Sequence, residues 1–179
     1  MKLLLISGSP RKGNTELILK RITDSLSNVE SEVIMLREKN IGHCGGCLFC
    51  HDKKGCAIKD DMDLIYKKLI EADLIILATP NYFDNVSGLL KDFMDRTNAI
   101  YQTESLKNKK LINIVVGGGS KENSERVSKG AMGYFAETHG MKIISDYIFK
   151  GLNPGEVLND EEFEKNVGKI VGDIKNLSK

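Results

Sequence analysis

Apolar and polar positions alternate along this chain in a fixed rhythm of short apolar run, loop and amphipathic stretch. Lys2–Ser7 (KLLLIS) predicts a buried strand, and Asn14–Ser27 a helix with Leu17, Ile18, Ile22 and Leu26 near 3.6-residue spacing. Glu32–Leu36 predicts a second strand. Arg37–Asp60 has no periodicity. Asp61–Glu71 predicts a helix with Leu64, Ile65, Leu69 and Ile70 on its apolar face and Asp60 or Asp61 as its cap. Asp73–Thr79 is the third predicted strand and Asn85–Tyr101 the next helix, carrying Leu89, Leu90, Phe93 and Met94. Lys110–Val116 predicts strand four, Asn123–His139 a helix stopped by Gly140, Met141–Phe149 strand five, and Asp160–Leu177 a closing helix.

Five strands alternating with five helices imply an α/β chain with a doubly wound parallel sheet. At this length the expected strand order is 2-1-3-4-5, the flavodoxin-like arrangement. With no internal repeat and no linker-like stretch, residues 1–179 are expected to form one domain, with a cysteine-rich insertion at about residues 40–60. The net charge is +1 with lysines and arginines dispersed, so no basic stripe points to nucleic acid. The run Leu3–Ile6 is too short for a signal-peptide core or a membrane span, which sets the expectation of a cytoplasmic protein without a membrane partner. Disulfides are rare there, so the cysteines are read first as metal or redox residues.

Ligands of such sheets bind beyond the carboxyl ends of the strands, where the loops after strands 1, 3 and 4 should meet. The first of these, Ser7–Thr15 (SGSPRKGNT), offers hydroxyls, an amide, two cations and a fresh helix N-terminus, donors suited to a phosphate monoester. It lacks both the dinucleotide glycine pattern and the Gly-Lys-Ser/Thr ending of a nucleotide phosphate loop. The alternative is an ordinary capped loop with Asn14 or Thr15 as N-cap. The second loop, Thr79–Asn85 (TPNYFDN), carries Tyr82 and Phe83, which can flank a flat aromatic ring or else pack beneath the next helix. The third, Gly117-Gly118-Gly119-Ser120, lets backbone approach a ligand closely, or is a plain flexible turn.

All four cysteines fall in one stretch, Cys44, Cys47, Cys50 and Cys56, spaced C-x2-C-x2-C-x5-C. Three thiolates within seven residues can hold three corners of a small iron–sulfur cluster, and the fourth can close it. A redox-active thiol pair is an alternative, since two C-x2-C pairs are present. Zinc is the lesser rival, because structural zinc sites usually split their ligands into two separate pairs. His43 and His51 read as surface histidines, and His139 as a residue whose charge suits a helix C-terminus.

Gly8–Glu16 (GSPRKGNTE), the cysteine run, Asp60-Asp61-Met62, Thr79–Tyr82 and Gly117–Gly119 resemble the iron–sulfur flavoproteins. These form a branch of the flavodoxin-like NAD(P)H-dependent FMN reductases. The resemblance implies one FMN per subunit, its phosphate held by Ser9, Arg11, Asn14 and Thr15. It implies that Pro80, Asn81, Tyr82 and Phe83 lie along the flavin and ribityl chain, that Gly117 and Gly118 approach the ring, and that Cys44, Cys47, Cys50 and Cys56 hold a [4Fe–4S] cluster. It also implies a homodimer or homotetramer, with cluster and flavin of different subunits close enough to exchange electrons.

The function expected is an FMN-dependent oxidoreductase that takes electrons from reduced ferredoxin or NAD(P)H and delivers them to a small acceptor such as oxygen, peroxide or a quinone. No catalytic acid or base is expected in the strict sense, although Tyr82 could gate the ring or donate a proton. The rivals are an FMN or quinone reductase without a cluster and a non-enzymatic flavodoxin-like carrier. A receiver-type signalling domain is excluded, because Ser7 and Thr79 stand where its acidic pocket would be.

Overall fold

The computed structural model describes residues 1–52 and 55–178. Five parallel strands form one sheet in the order β2-β1-β3-β4-β5. They are β1 (Lys2–Ser7), β2 (Glu30–Met35), β3 (Leu74–Pro80), β4 (Lys110–Gly117) and β5 (Lys142–Lys150). The three inner strands are buried almost throughout, the near-continuous apolar pattern of strands covered on both faces.

Because successive side chains point to opposite faces, each inner strand feeds two cores. Leu3 and Leu5, Leu74 and Ile76, and Ile112 and Ile114 pack with α1 (Asn14–Asp24) and α8 (Phe163–Leu177). Leu4 and Ile6, Ile75 and Leu77, and Leu111 and Val115 form the other core. That face is covered by α3 (Met62–Glu71), by α4 (Gly88–Arg96) with the short α5 (Asn98–Tyr101), and by α6 (Lys121–Val127) with α7 (Gly133–Thr138).

Several boundaries differ from the sequence expectations for local reasons. The third predicted helix begins at Gly88 rather than Asn85, because Tyr82 and Asn85 exchange backbone hydrogen bonds in a turn and Ser87 Oγ then accepts from Leu90 N. It breaks at Thr97. The Asn123–His139 stretch begins at Lys121, where Ser120 caps it, and widens into a π turn over Ser128–Met132. On α3, Leu64 and Ile70 face solvent while Met62, Ile65, Tyr66 and Leu69 form the buried face. Asp61 occupies the cap position without a side-chain capping bond, and Asp60 Oδ1 accepts from Met62 N at 3.0 Å. Within the cysteine-rich segment lies a four-residue helix, α2 (Phe49–Asp52); residues 53 and 54 of that segment lie outside the described residues.

Candidate functional site

The β1 and β3 loops are fastened to each other by backbone. Gly8 N donates to Ala78 O at 2.8 Å, and Ser87 Oγ at the head of α4 donates to Gly8 O. A Cβ on Gly8 would stand 2.6 Å from Leu90 Cβ, so only glycine lets the loop lie this close to α4. Ser9 is buried and bonds within the loop, donating to Arg11 O at 2.8 Å. The α1 N-terminus receives no side-chain cap; Gly13 occupies the cap position, so the first-turn amides stay free of side-chain partners. Thr15 lies buried in that turn. The ordinary-cap alternative for Asn14 or Thr15 is thus not realised.

The β3 and β4 loops are joined in the same way. Asn81 N donates to Val116 O at 2.7 Å, and its side-chain amide reaches Ser124 Oγ at 3.4 Å. Pro80 ends β3, half-buried. Beyond it the chain turns outward. Phe83 and Asp84 both have left-handed backbone, with φ of 52° and 56°, and Phe83 is wholly exposed. Tyr82 is also exposed, so neither aromatic packs beneath the next helix. Positive φ at a bulky residue is strained and is kept only where the surroundings enforce it. Here the Tyr82–Asn85 hydrogen bonds and a salt bridge from Arg126 to Asp84 do so. The hydrogen bond from Arg126 holds the Asp84 carboxyl below the usual range. In the β4 loop the space where a Gly117 side chain would lie is filled by Ser124 Oγ, 2.5 Å from an added Cβ, and at Gly118 by Leu152 Cβ at 2.7 Å.

A fourth loop, after β5, covers the same edge and was not singled out in the sequence. Arg11 Nη2 donates to Leu152 O at 2.5 Å. Asn14 Nδ2 donates to Asn153 O at 2.9 Å while its Oδ1 accepts from Val157 N at 3.3 Å. Glu156 Oε2 accepts from the amides of Leu152 and Asn153, both at 2.7 Å, and these amides hold its carboxyl below the usual range. The turn-rich run Gly151–Gly155 (GLNPG), trailing a strand, was the available signal.

The cysteine segment lies against α4 and α5, where His43 meets Asp92, Gly42 O meets Arg96 and Cys50 meets Asn98. Cys44 and Cys47 are exposed; Cys50 and Cys56 are half-buried against the core, and Asn98 Nδ2 lies 3.2 Å from Cys50 Sγ. The chain winds through positive φ at Gly46, Leu48 and Gly55. Among the described residues no three cysteine, histidine or acidic side chains gather closely enough to hold a metal ion. The donor set itself, four thiols in a glycine-jointed loop, fits thiolate-bound iron–sulfur chemistry. Exposed His43 bonds Asp92 at 2.7 Å, and that hydrogen bond raises its pKa.

The segment is closed at its base by Arg96 and Asp60, a pair that the sequence did not flag. Arg96 donates to both Asp60 oxygens at 2.6 and 3.0 Å, to Gly42 O at 2.8 Å and to Ile58 O at 3.3 Å. The two side chains are 1% and 4% exposed. Burial alone would raise the Asp60 carboxyl, but hydrogen bonds from Arg96, Gly42 N and Met62 N hold it below the usual range.

The sequence of residues 1–151 matches the model of the NADPH-dependent FMN reductase family. The chain belongs to this family. Across the full length of both proteins it is 35% identical to an iron–sulfur flavoprotein of Methanocaldococcus jannaschii. It is 34% identical to an iron–sulfur flavoprotein of Methanosarcina thermophila over 87% of this chain and 85% of that one. Among solved structures, the NAD(P)H:quinone oxidoreductase of Methanothermobacter marburgensis superposes with a TM-score of 0.77 at 17% identity, over 100% of this chain and 96% of that chain, a likeness of fold.

As a member of the FMN reductase family the chain is a flavin-dependent oxidoreductase that uses FMN. Among the described residues, no helix is long and apolar enough to cross a membrane. His139 is not a solvent-facing group at its helix end. It is buried, burial lowers its pKa, and its Nε2 lies 2.9 Å from Thr97 Oγ1. Since Thr97 spends its own proton on Met94 O, at 2.6 Å, the imidazole is the donor to Thr97.

Proposed function

We propose that the enzyme holds FMN in the crevice between the β1, β3 and β4 loops and passes electrons from NAD(P)H or reduced ferredoxin to a small acceptor such as oxygen, peroxide or a quinone. The observation that carries this reading is the convergence of the three loops on one sheet edge. The uncapped α1 N-terminus stands at one side and the strained, outward-turned Tyr82-Phe83-Asp84 tip at the other.

Ser9, Arg11, Asn14 and Thr15 would surround the phosphate. Free first-turn amides and the helix dipole favour an anion there. Arg11 would exchange its bond to Leu152 O for the phosphate, whereas Asn14 would act chiefly by holding the β5 loop across the site. Pro80, Asn81, Tyr82 and Phe83 would line the ribityl chain and ring, and the backbone of Gly117 and Gly118 would border the ring edge. Bound FMN supplies one- and two-electron chemistry; the chain supplies placement and exclusion of water. No side chain of this site is assigned as an acid or base.

Cys44, Cys47, Cys50 and Cys56 would hold a [4Fe–4S] cluster, which would let one-electron carriers feed a two-electron cofactor. The four-thiol donor set and the family relatives named iron–sulfur flavoproteins support this. A reductase without a cluster is the second reading, favoured by the dispersed thiols. The wholly exposed Phe83 suits a homodimer or homotetramer in which a partner subunit covers the flavin tip.

The test is anaerobic purification, followed by flavin, iron and sulfide analysis and by spectra before and after dithionite. One FMN per chain, about four irons and a broad absorption that bleaches support the full reading. Flavin bands alone leave the cluster-free reductase, and absence of flavin refutes both.

A further inference from the structure

The break between α4 and α5 sets one side-chain amide against a cysteine. Thr97 stands at the break, wholly buried. Its hydroxyl donates to Met94 O at 2.6 Å and receives the His139 imidazole at 2.9 Å. Arg96, one residue earlier, is locked by its bonds to Asp60 and by Tyr66 Oη, which donates to Arg96 O at 2.7 Å. Ala99 and Ile100, the two residues after Asn98, are buried in the core. Asn98 is therefore held by anchored neighbours on both sides in the chain, and its half-buried side chain leaves from a fixed point.

That side chain meets the thiol loop. Asn98 Nδ2 lies 3.2 Å from Cys50 Sγ, and Cys50 is itself half-buried against the core within α2. Among the described residues, Cys50 is the one cysteine whose sulfur meets a hydrogen-bond donor. A thiolate offers lone pairs and no proton, so the amide nitrogen, and not the amide oxygen, belongs on this side. A donor already ordered by its backbone loses little conformational entropy when it bonds. Hydrogen bonds to ligand groups orient the ligand, and those to the sulfurs help to set the potential of an iron–sulfur centre. They offset the negative charge that grows on sulfur when an electron arrives.

We propose that Asn98 is a positioning residue for the cluster: its amide donates a hydrogen bond to the Cys50 thiolate, fixes that ligand and raises the reduction potential of the iron–sulfur centre. This rests on the cluster reading above. It adds a residue outside the cysteine run that favours uptake of one electron from the donor.

The experiment is a potentiometric titration of the reconstituted, FMN-loaded protein, followed by bleaching of the cluster absorption, for the native chain, Asn98→Ala and the isosteric Asn98→Asp. Loss of the bond should shift the one-electron equilibrium roughly three- to tenfold toward the oxidised cluster, up to about 59 mV to lower potential. Asn98→Asp should shift it further, because a carboxylate repels the thiolate. The FMN potential should stay in place. Equal cluster potentials in all three chains, or a shift shared equally by FMN, would overturn the proposal. Loss of the cluster in a variant that keeps native stability to urea upholds the positioning role. A native chain that takes up no cluster removes the cluster reading, and alkylation of Cys50 by iodoacetamide, mapped by peptide mass, then decides the contact alone. Slower Cys50 alkylation in Asn98→Asp, with Cys56 unchanged, upholds the hydrogen bond to the thiolate; equal rates overturn it.

Discussion

Replacing Arg96 with Met tests how the cysteine segment is held. The substitution keeps most of the side-chain volume but leaves the Asp60 carboxylate, 4% exposed, without its cation. It also removes the donors to Gly42 O and Ile58 O. Breaking a buried pair from one side costs about 3–5 kcal/mol, because an uncompensated charge stays in the interior. Against a total stability of about 5–15 kcal/mol, that is a large share. Urea unfolding of the apoprotein should show this loss. Labelling with a thiol reagent supplies an independent readout: half-buried Cys50 and Cys56 should react more slowly than exposed Cys44 and Cys47 in the native chain, and the difference should collapse in the variant. Adding Asp60→Leu should recover part of the loss, since removing both partners of a buried pair is close to neutral. A loss below about 1 kcal/mol, the range of an exposed pair, with unchanged thiol rates, would refute the clamp.

Other consequences follow from the same geometry. Gly117→Ala should cost about 1–3 kcal/mol by overpacking against Ser124 and should weaken FMN binding; adding Ser124→Ala should restore most of the stability, and failure of that rescue would point to backbone rather than side-chain crowding. Stability should fall with acid in two stages, followed by denaturant melts across pH. His139 has a lowered folded pKa, so the unfolded chain takes up the proton first and stability declines as pH drops below the unfolded histidine value of about 6.5. Asp60 is also lowered, so its contribution is complete above the unfolded value of about 3.9 and is lost as pH falls through the folded value. His139→Gln should flatten the first stage alone.

The strand pattern and the three loops were legible because inner parallel strands are apolar on both faces and their trailing loops are dense in donors and glycine. The register of individual helices was not. On α3 the three-to-four-residue spacing admits two neighbouring stripes, and burial chose Met62, Tyr66 and Leu69 over Leu64 and Ile70. Arg96 was invisible, since a charged residue in an amphipathic helix reads as solvent-facing. Only the return of Gly42, Ile58 and Asp60 against α4 makes it a buried clamp. Likewise Asn14 reads as a phosphate donor or a cap until the β5 loop occupies both ends of its amide. Interactions between residues so distant in the chain leave no local periodicity to detect.

In the proposed function one crevice would receive a planar ring and a phosphate together, with the β1 loop reading the phosphate. The most direct measurement compares the affinity of the apoprotein for FMN and for riboflavin by fluorescence quenching, in the native chain and in Arg11→Ala. Two or more charge-assisted hydrogen bonds to the phosphate make FMN about a hundredfold tighter than riboflavin, and Arg11→Ala narrows that gap by weakening FMN alone. Equal affinity for the two flavins, or an Arg11→Ala effect shared equally by both, would contradict the account.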